Sequence, residues 1–340
     1  MRLPSLRSGA RILFITNTRI GDVVLSTGLL GLLADTFPTS RITVVAGYLA
    51  CSLFDGAPCI ERVIPLRKKP YNRHWLGLYL SLLRAWDLVI DLRGSALAWM
   101  VPTRHRRIMS SSDPARSRVV ELGSLVSADQ APAPRLWIQD QDRRAAARIV
   151  APNLDFLAVA PGASSPEKRW PPDRFVAMID RLTERGAVGA TLAVVVLGAA
   201  DERPLVASIC ERLMKRPGME PPMAVVGEAR LPVVAAILER ARLYIGNDSG
   251  LMHLAAASGA PTVGLFGPTP PARYRPWGER TLLIQPDGCL ANGDDQSAQQ
   301  WTPRPIAELS VEHVVACVHR FASGIGLAPL IDSNCREDVH

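Results

Sequence analysis

Residues 241–267, ARLYIGNDSGLMHLAAASGAPTVGLFG, set two apolar runs on either side of one short helical stretch, and that spacing leaves few folds open. Residues 242–245 are β-branched and aromatic in type and read as a strand that Gly246 and Asn247 end. Asp248 and Ser249 stand where a helix N-cap belongs, ahead of LMHLAAA; Gly259 and Pro261 stop the helix before a second buried strand at 262–266. Two buried strands joined by a helix form a parallel βαβ unit with a right-handed crossover. The helix start at Ser249 and Gly250 offers free N–H groups and a positive dipole end to a phosphate, with His253 about one turn along the same face. The same residues also fit an ordinary N-cap and a core histidine.

This unit is repeated in kind along the chain. Strands are expected at 11–16 (RILFIT), 41–46, 62–64, 88–91 and, more weakly, 107–109, with helical patterns from the 17–22 turn to residue 33 and over 75–86. The pattern fades between 110 and 134, and 140–150 reads as an exposed helix. A second series follows: strands at 156–160, 192–197, 224–226 and 281–284 besides the two above, helices at 173–185, 201–215 and 311–321, and a loop-like 285–304. Two consecutive doubly wound α/β domains are therefore expected, 1–152 and 153–322, followed by a tail at 323–340. Ligands in such folds bind at strand C-terminal ends, with the main cleft expected between the domains.

Composition narrows the partners. The net charge of +7 points to an anionic one, and no nucleic-acid module accompanies it, so a phosphorylated small molecule or an acidic membrane surface is expected instead. The six cysteines, Cys51, Cys59, Cys210, Cys289, Cys317 and Cys335, form no CxxC pair and no metal-ligand spacing, which fits reduced thiols in the cytoplasm. No apolar run reaches the length of a signal segment or a membrane span, so membrane contact is expected to be peripheral.

Three stretches carry chemistry. Residues 161–170 (PGASSPEKRW) join a strand to a helix: glycine allows close approach, Ser164 and Ser165 can donate, and Lys168 can neutralise a phosphate. Gly-Lys-Ser/Thr is absent, so this is not a Walker loop. A solvated turn is the competing reading. Gly21-Asp22 follows the first strand; Asp22 is either a helix cap or a carboxylate placed as a general base. No GxGxxG accompanies it, which disfavours a nicotinamide-dependent oxidoreductase. Residues 66–75 (LRKKPYNRHW) hold Arg67, Lys68, Lys69 and Arg73, either a solvated loop or a site for an anionic acceptor or lipid head groups, and RHRR at 104–107 is a second basic patch.

Together, the N-terminal Gly-Asp, PGAS…KRWP and GNDSGLMHLAAASGAPTVGLFGPT resemble glycosyltransferase family 9, the ADP-heptose:lipopolysaccharide heptosyltransferases, over residues 11–315. The resemblance implies a GT-B fold, with the donor bound by the C-terminal domain and the acceptor by the N-terminal one, and inverting transfer that needs no metal. By the same resemblance Asp22 is the catalytic base and Ser164, Ser165 and Lys168 lie near the donor diphosphate. Asp248 contacts the donor sugar, while Ser249, Gly250 and His253 form the phosphate-binding turn. Arg67, Lys68, Lys69 and Arg73 take the place of basic acceptor residues. The implied partners are ADP-heptose, a lipid-linked anionic saccharide and the inner face of the bacterial inner membrane. One departure concerns the acceptor: many members carry several cysteines late in the chain, where residues 286–301 have only Cys289. Competing functions are a GT-B enzyme using a UDP-sugar, as transferase or epimerase, and a non-catalytic nucleotide-sugar- or phospholipid-binding protein of the same fold.

Overall fold

The computed structural model describes residues 3–67, 74–109, 113, 115–128, 130–183, 192–216, 220–291 and 302–327. Contacts divide the chain into two compact units, Met1–Gln139 and Asp140–His340. The division falls ahead of the helix at residues 140–149, which the sequence reading had placed in the first domain.

The first unit runs β1 (Arg11–Ile15), α1 (Ile20–Thr36), β2 (Arg41–Gly47), a 3-10 turn (Tyr48–Phe54) and β3 (Ile60–Leu66). It continues through α2 (His74–Ser81), β4 (Trp86–Asp91), α3 (Leu97–Met100), β5 (Thr103–Ile108) and α4 (Arg118–Ser124). Its five strands are all parallel in the order β3-β2-β1-β4-β5, with Phe14 between Val44 and Ile90. β1 and β4 are buried along nearly their whole length, which is why they read as unbroken apolar runs. The helix expected over 75–86 stops earlier: Trp86, almost fully buried, opens β4 instead.

The second unit runs α5 (Asp140–Ile149), β6 (Phe156–Ala160), α6 (Pro172–Thr183), β7 (Ala193–Gly198), α7 (Arg203–Met214), β8 (Met223–Val226) and α8 (Leu231–Leu238). Then come β9 (Leu243–Asn247), α9 (Gly250–Ala257), β10 (Thr262–Leu265), α10 (Pro271–Tyr274), β11 (Thr281–Gln285), β12 (Gly288–Ala291) and α11 (Val311–Gly324). The sheet order is β12-β11-β10-β9-β6-β7-β8, parallel except for β12, which pairs antiparallel with β11. The sequence reading had treated β12 as loop. Helix α5 is not simply exposed: Asp142 and Ala146 are buried, and it packs on α8.

Both sheets carry strand order 3-2-1-4-5 in their own numbering, so each reverses winding direction beside its first strand. In the second unit that reversal lies between β6 and β9. The crevice outside the carboxyl ends of such a strand pair is where doubly wound folds bind ligands.

Candidate functional site

At the reversal point of the second sheet, β6 and β9 lie side by side with Ala160 opposite Gly246. Only glycine fits at 246, because a Cβ there would come within 2.8 Å of the Ala160 carbonyl oxygen and 2.5 Å of the Tyr244 hydroxyl. The next residue, Asn247, is fully buried and ties the two strand ends together. Its Nδ2 donates to the Pro161 carbonyl at 2.7 Å, and its Oδ1 accepts from the Trp170 N–H at 3.2 Å. Trp170 anchors the far end of the loop, buried edge-on against Phe175 and donating through Nε1 to the Leu309 carbonyl at 3.0 Å. Arg169 curls back to donate to the Ala163 carbonyl at 2.9 and 3.1 Å, so it closes the loop and is no freely solvated partner of Lys168.

This framework brings together Lys168 from the first loop and Asp248 from the second, Nζ to Oδ2, at 2.7 Å. Ser249 is the N-cap residue of α9 in extended conformation, but its hydroxyl does not cap the helix. Instead the Ser249 Oγ is buried without a hydrogen-bond partner among the described residues, as are the Tyr244 hydroxyl and the Thr269 Oγ1. Tyr244 lies on β9, and Thr269 follows β10, the neighbouring strand. Burial pushes the Tyr244 phenol well above its ordinary pKa; Ser249 beside it eases that shift but lies outside hydrogen-bonding geometry. A buried hydroxyl without a partner is costly, so Tyr244 and the neighbouring Ser249 leave hydrogen-bonding capacity unmet at β9 and the start of α9. His253 is buried on α9, about one turn from Gly250. Ser164 is exposed, while Ser165 is half-buried and hydrogen-bonds to Glu167, holding that carboxyl below its usual range. Tyr244, Asn247, Trp170 and Thr269 were not singled out from sequence, since each earns its place through contacts with residues distant in the chain.

In the first unit, Asp22 is half-buried in the first turn of α1, and the residue preceding the helix is Arg19. Asp22 is therefore not the N-cap, and among the described residues its carboxylate takes no hydrogen bond or ion pair. The turn leading to it is braced by Gly47 at the end of β2, whose N–H donates to the Asn17 carbonyl at 3.1 Å. A Cβ at 47 would sit 2.3 Å from the Thr18 carbonyl oxygen. Arg67 is exposed, its guanidinium stacked 3.6 Å over the Tyr48 ring. Lys68, Lys69 and Arg73 lie outside the described residues. Among the described residues no three His, Cys, Asp or Glu side chains gather to hold a metal.

The model of glycosyltransferase family 9 (heptosyltransferase) matches residues 124–300. Lipopolysaccharide heptosyltransferase 2 of Salmonella typhimurium is 25% identical over 345 residues, covering 88% of this chain and 97% of that protein. Among solved structures, a family 9 glycosyltransferase of Veillonella parvula superposes with a TM-score of 0.74 at 22% identity, covering 93% of this chain and 97% of its own. The E. coli heptosyltransferase WaaC, solved with ADP, does so at 0.69 and 17% identity, covering 92% and 100%. Likenesses that span both units show the GT-B fold.

Proposed function

Because the chain belongs to glycosyltransferase family 9, we propose that it transfers a heptosyl group from ADP-heptose to an anionic, lipid-linked saccharide of the lipopolysaccharide core, with inversion and without a metal. The observation that carries this reading is the meeting of Lys168, Asp248 and the α9 N-terminus at the reversal point of the second sheet. A cation beside a helix N-terminus is a site for a diphosphate, and an adjacent carboxylate can hydrogen-bond sugar hydroxyls. Homologues named for lipopolysaccharide heptosyl transfer, and a structural neighbour solved with ADP, support this choice of donor and acceptor.

The chemistry balances with this chain's own groups. Asp22 accepts the proton of the acceptor hydroxyl as that oxygen attacks the anomeric carbon. The bond from that carbon to the ADP oxygen breaks on the opposite face, which inverts the configuration. Lys168 and the free N–H groups at Ser249 and Gly250 take up the charge developing on the departing diphosphate. Exclusion of water protects the donor from hydrolysis. Arg67, with Lys68, Lys69 and Arg73, would hold the anionic acceptor, and a lipid-linked acceptor would bring the enzyme to the inner face of the inner membrane.

Thermal shift with ADP and UDP tests the donor, since a ligand bound only by the native state raises the midpoint. ADP should raise it and UDP should not. The anomeric configuration of the product, read by NMR, tests inversion, and turnover in excess EDTA tests metal independence. A larger shift with UDP, a retained configuration or loss of turnover in EDTA would each remove its part of the reading.

A further inference from the structure

Helices α2 and α3 are apolar on both faces, which is the pattern of elements covered on both sides. Their inner face is accounted for. Leu78 of α2, Leu82 just after it, and Leu97, Ala98 and Val101 at α3 pack in one cluster with Leu13, Ile15, Trp86 and Val89 of the first sheet. α3 lies beside α2 over that same sheet face. Their outer side is bare: Leu80 of α2 is 59% exposed, Leu83 just past that helix 50%, and Trp99 and Met100 of α3 67% and 56%. These four make up half of the eight large exposed hydrophobics among the described residues, so the exposure is concentrated at one place and not scattered.

The exposed charge that this stretch itself supplies is positive. Residues 74–109 contain two acidic side chains, Asp87 and Asp91, both buried. Asp91 accepts from the backbone N–H groups of Arg93 and Ser95 and from the Ser95 hydroxyl, so it presents no charge outward. The same stretch carries Arg84, Arg93, Arg104, Arg106 and Arg107. Arg84 is answered by Glu61. Arg106 donates to the carbonyls of Ala98 and Val101 and lies over the Trp99 ring, 5.1 Å from its centre, which fixes the indole at the surface. Arg104, two residues earlier on β5, shares that strand face; its Nε lies 4.0 Å from the buried Asp87 carboxylate, yet its side chain stays 70% exposed.

We propose that the outer face of α2 and α3 is a docking surface for an anionic lipid bilayer, with Trp99, Met100, Leu80 and Leu83 entering the interfacial layer and Arg104 and Arg106 meeting lipid phosphates. Tryptophan with aliphatic neighbours and flanking arginines is the composition that partitions into a headgroup region. No helix among the described residues is long and apolar enough to cross a membrane, so such contact would lie on the bilayer. A second copy of the chain fits this face less well, because a twofold contact would bring arginines of both copies into one seam with no exposed acidic side chain from residues 74–109 to meet them. The inference deepens the proposed function, from which it takes the lipid-linked acceptor; the face itself is read from exposure and charge.

Flotation with vesicles of phosphatidylcholine plus phosphatidylglycerol, and of phosphatidylcholine alone, tests it. The full-length protein should float with the anionic vesicles and lose binding in high salt. Trp99→Ser with Met100→Ser should lower the partition coefficient at least roughly tenfold, and Arg104→Gln, which removes the charge without setting a carboxylate beside the buried Asp87, should lower it severalfold. Both variants should keep wild-type ADP binding and transfer to a deacylated, soluble acceptor. Flotation unchanged in both variants overturns the proposal. So does a wild-type dimer in sedimentation that Trp99→Ser with Met100→Ser converts to monomer. Failure of the wild type to transfer to the soluble acceptor would instead strike the proposed function, leaving the lipid result to stand by itself.

Discussion

Lys168 Nζ lies 2.7 Å from Asp248 Oδ2, although the two residues are 80 apart in the chain. They meet because β6 and β9 are neighbours in the sheet and each feeds its loop out at the same edge. The ammonium thus has a counter-charge before any ligand arrives, and a diphosphate at the α9 N-terminus must share Lys168 with Asp248.

The two partners should therefore behave differently when removed. Lys168→Ala should weaken ADP binding by about 1.5–3 kcal/mol, roughly 10- to 150-fold, with AMP affected less. Asp248→Asn removes a negative neighbour of the bound anion, so ADP affinity should hold or tighten while turnover falls at least roughly tenfold. Calorimetry with ADP and AMP, beside steady-state rates, separates them. Equal losses of ADP affinity in both variants would mean that Asp248 serves only to position the ammonium.

Asp22→Asn keeps size and an acceptor oxygen but removes the proton acceptor. Turnover should drop by roughly 10²–10⁴-fold with little change in ADP affinity. Near-wild-type turnover would return Asp22 to a purely structural place in the first turn of α1.

Gly47 braces the turn that leads to Asp22, and it leaves no room for a methyl group beside the Thr18 carbonyl. Gly47→Ala should displace that turn and cut turnover at least roughly tenfold, since small misplacements of a catalytic group are costly. ADP binding, assigned to the second unit, should be unaffected. Full activity in this variant would show that the turn does not hold the base.

The Tyr244 hydroxyl has no partner among the described residues. Tyr244→Phe should leave the ligand-free protein as stable as wild type or raise its Tm by a few degrees, because the cost of an unmet buried hydroxyl is removed. A fall of several degrees in calorimetry would mean that the hydroxyl is bonded in the folded protein.

Burial raises the thiols of Cys51 and Cys317 to about 11, with Asp55 adding to the first and Cys289 to the second. The folded protein then holds protons that the unfolded chain releases at its ordinary thiol pKa. This contribution to stability is complete below that value and is lost as pH rises through about 11. Urea midpoints should fall between pH 8 and 10.5, and the fall should be shallower in Cys51→Ala with Cys317→Ala. An equally steep fall in that variant would assign the alkaline loss to other groups.

Much of the fold is legible in the sequence because its strands are buried on both faces. FLAVA and LYIGN are continuous apolar runs, and their turns carry Gly, Asn and Pro. β12 escapes because GCLA is four residues long and pairs antiparallel at a sheet edge. α8 escapes because LPVVAAIL is buried all round and shows no helical period. Within the site, the residue types in PGASSPEK and NDSG can be read directly, but their meeting cannot. The Lys168–Asp248 pair, the Asn247 tie and the partnerless Tyr244 hydroxyl all depend on which strands become neighbours, and sheet order is set by the packing of the whole unit.

The central claim is heptosyl transfer, and mass spectrometry of the acceptor tests it most directly. Purified protein incubated with ADP-heptose and a heptose-deficient lipopolysaccharide core acceptor should add one heptose per acceptor and release one ADP for each. With UDP-sugars in place of ADP-heptose the acceptor mass should not change. An acceptor left unmodified by ADP-heptose, or modified from a UDP-sugar instead, would contradict the account.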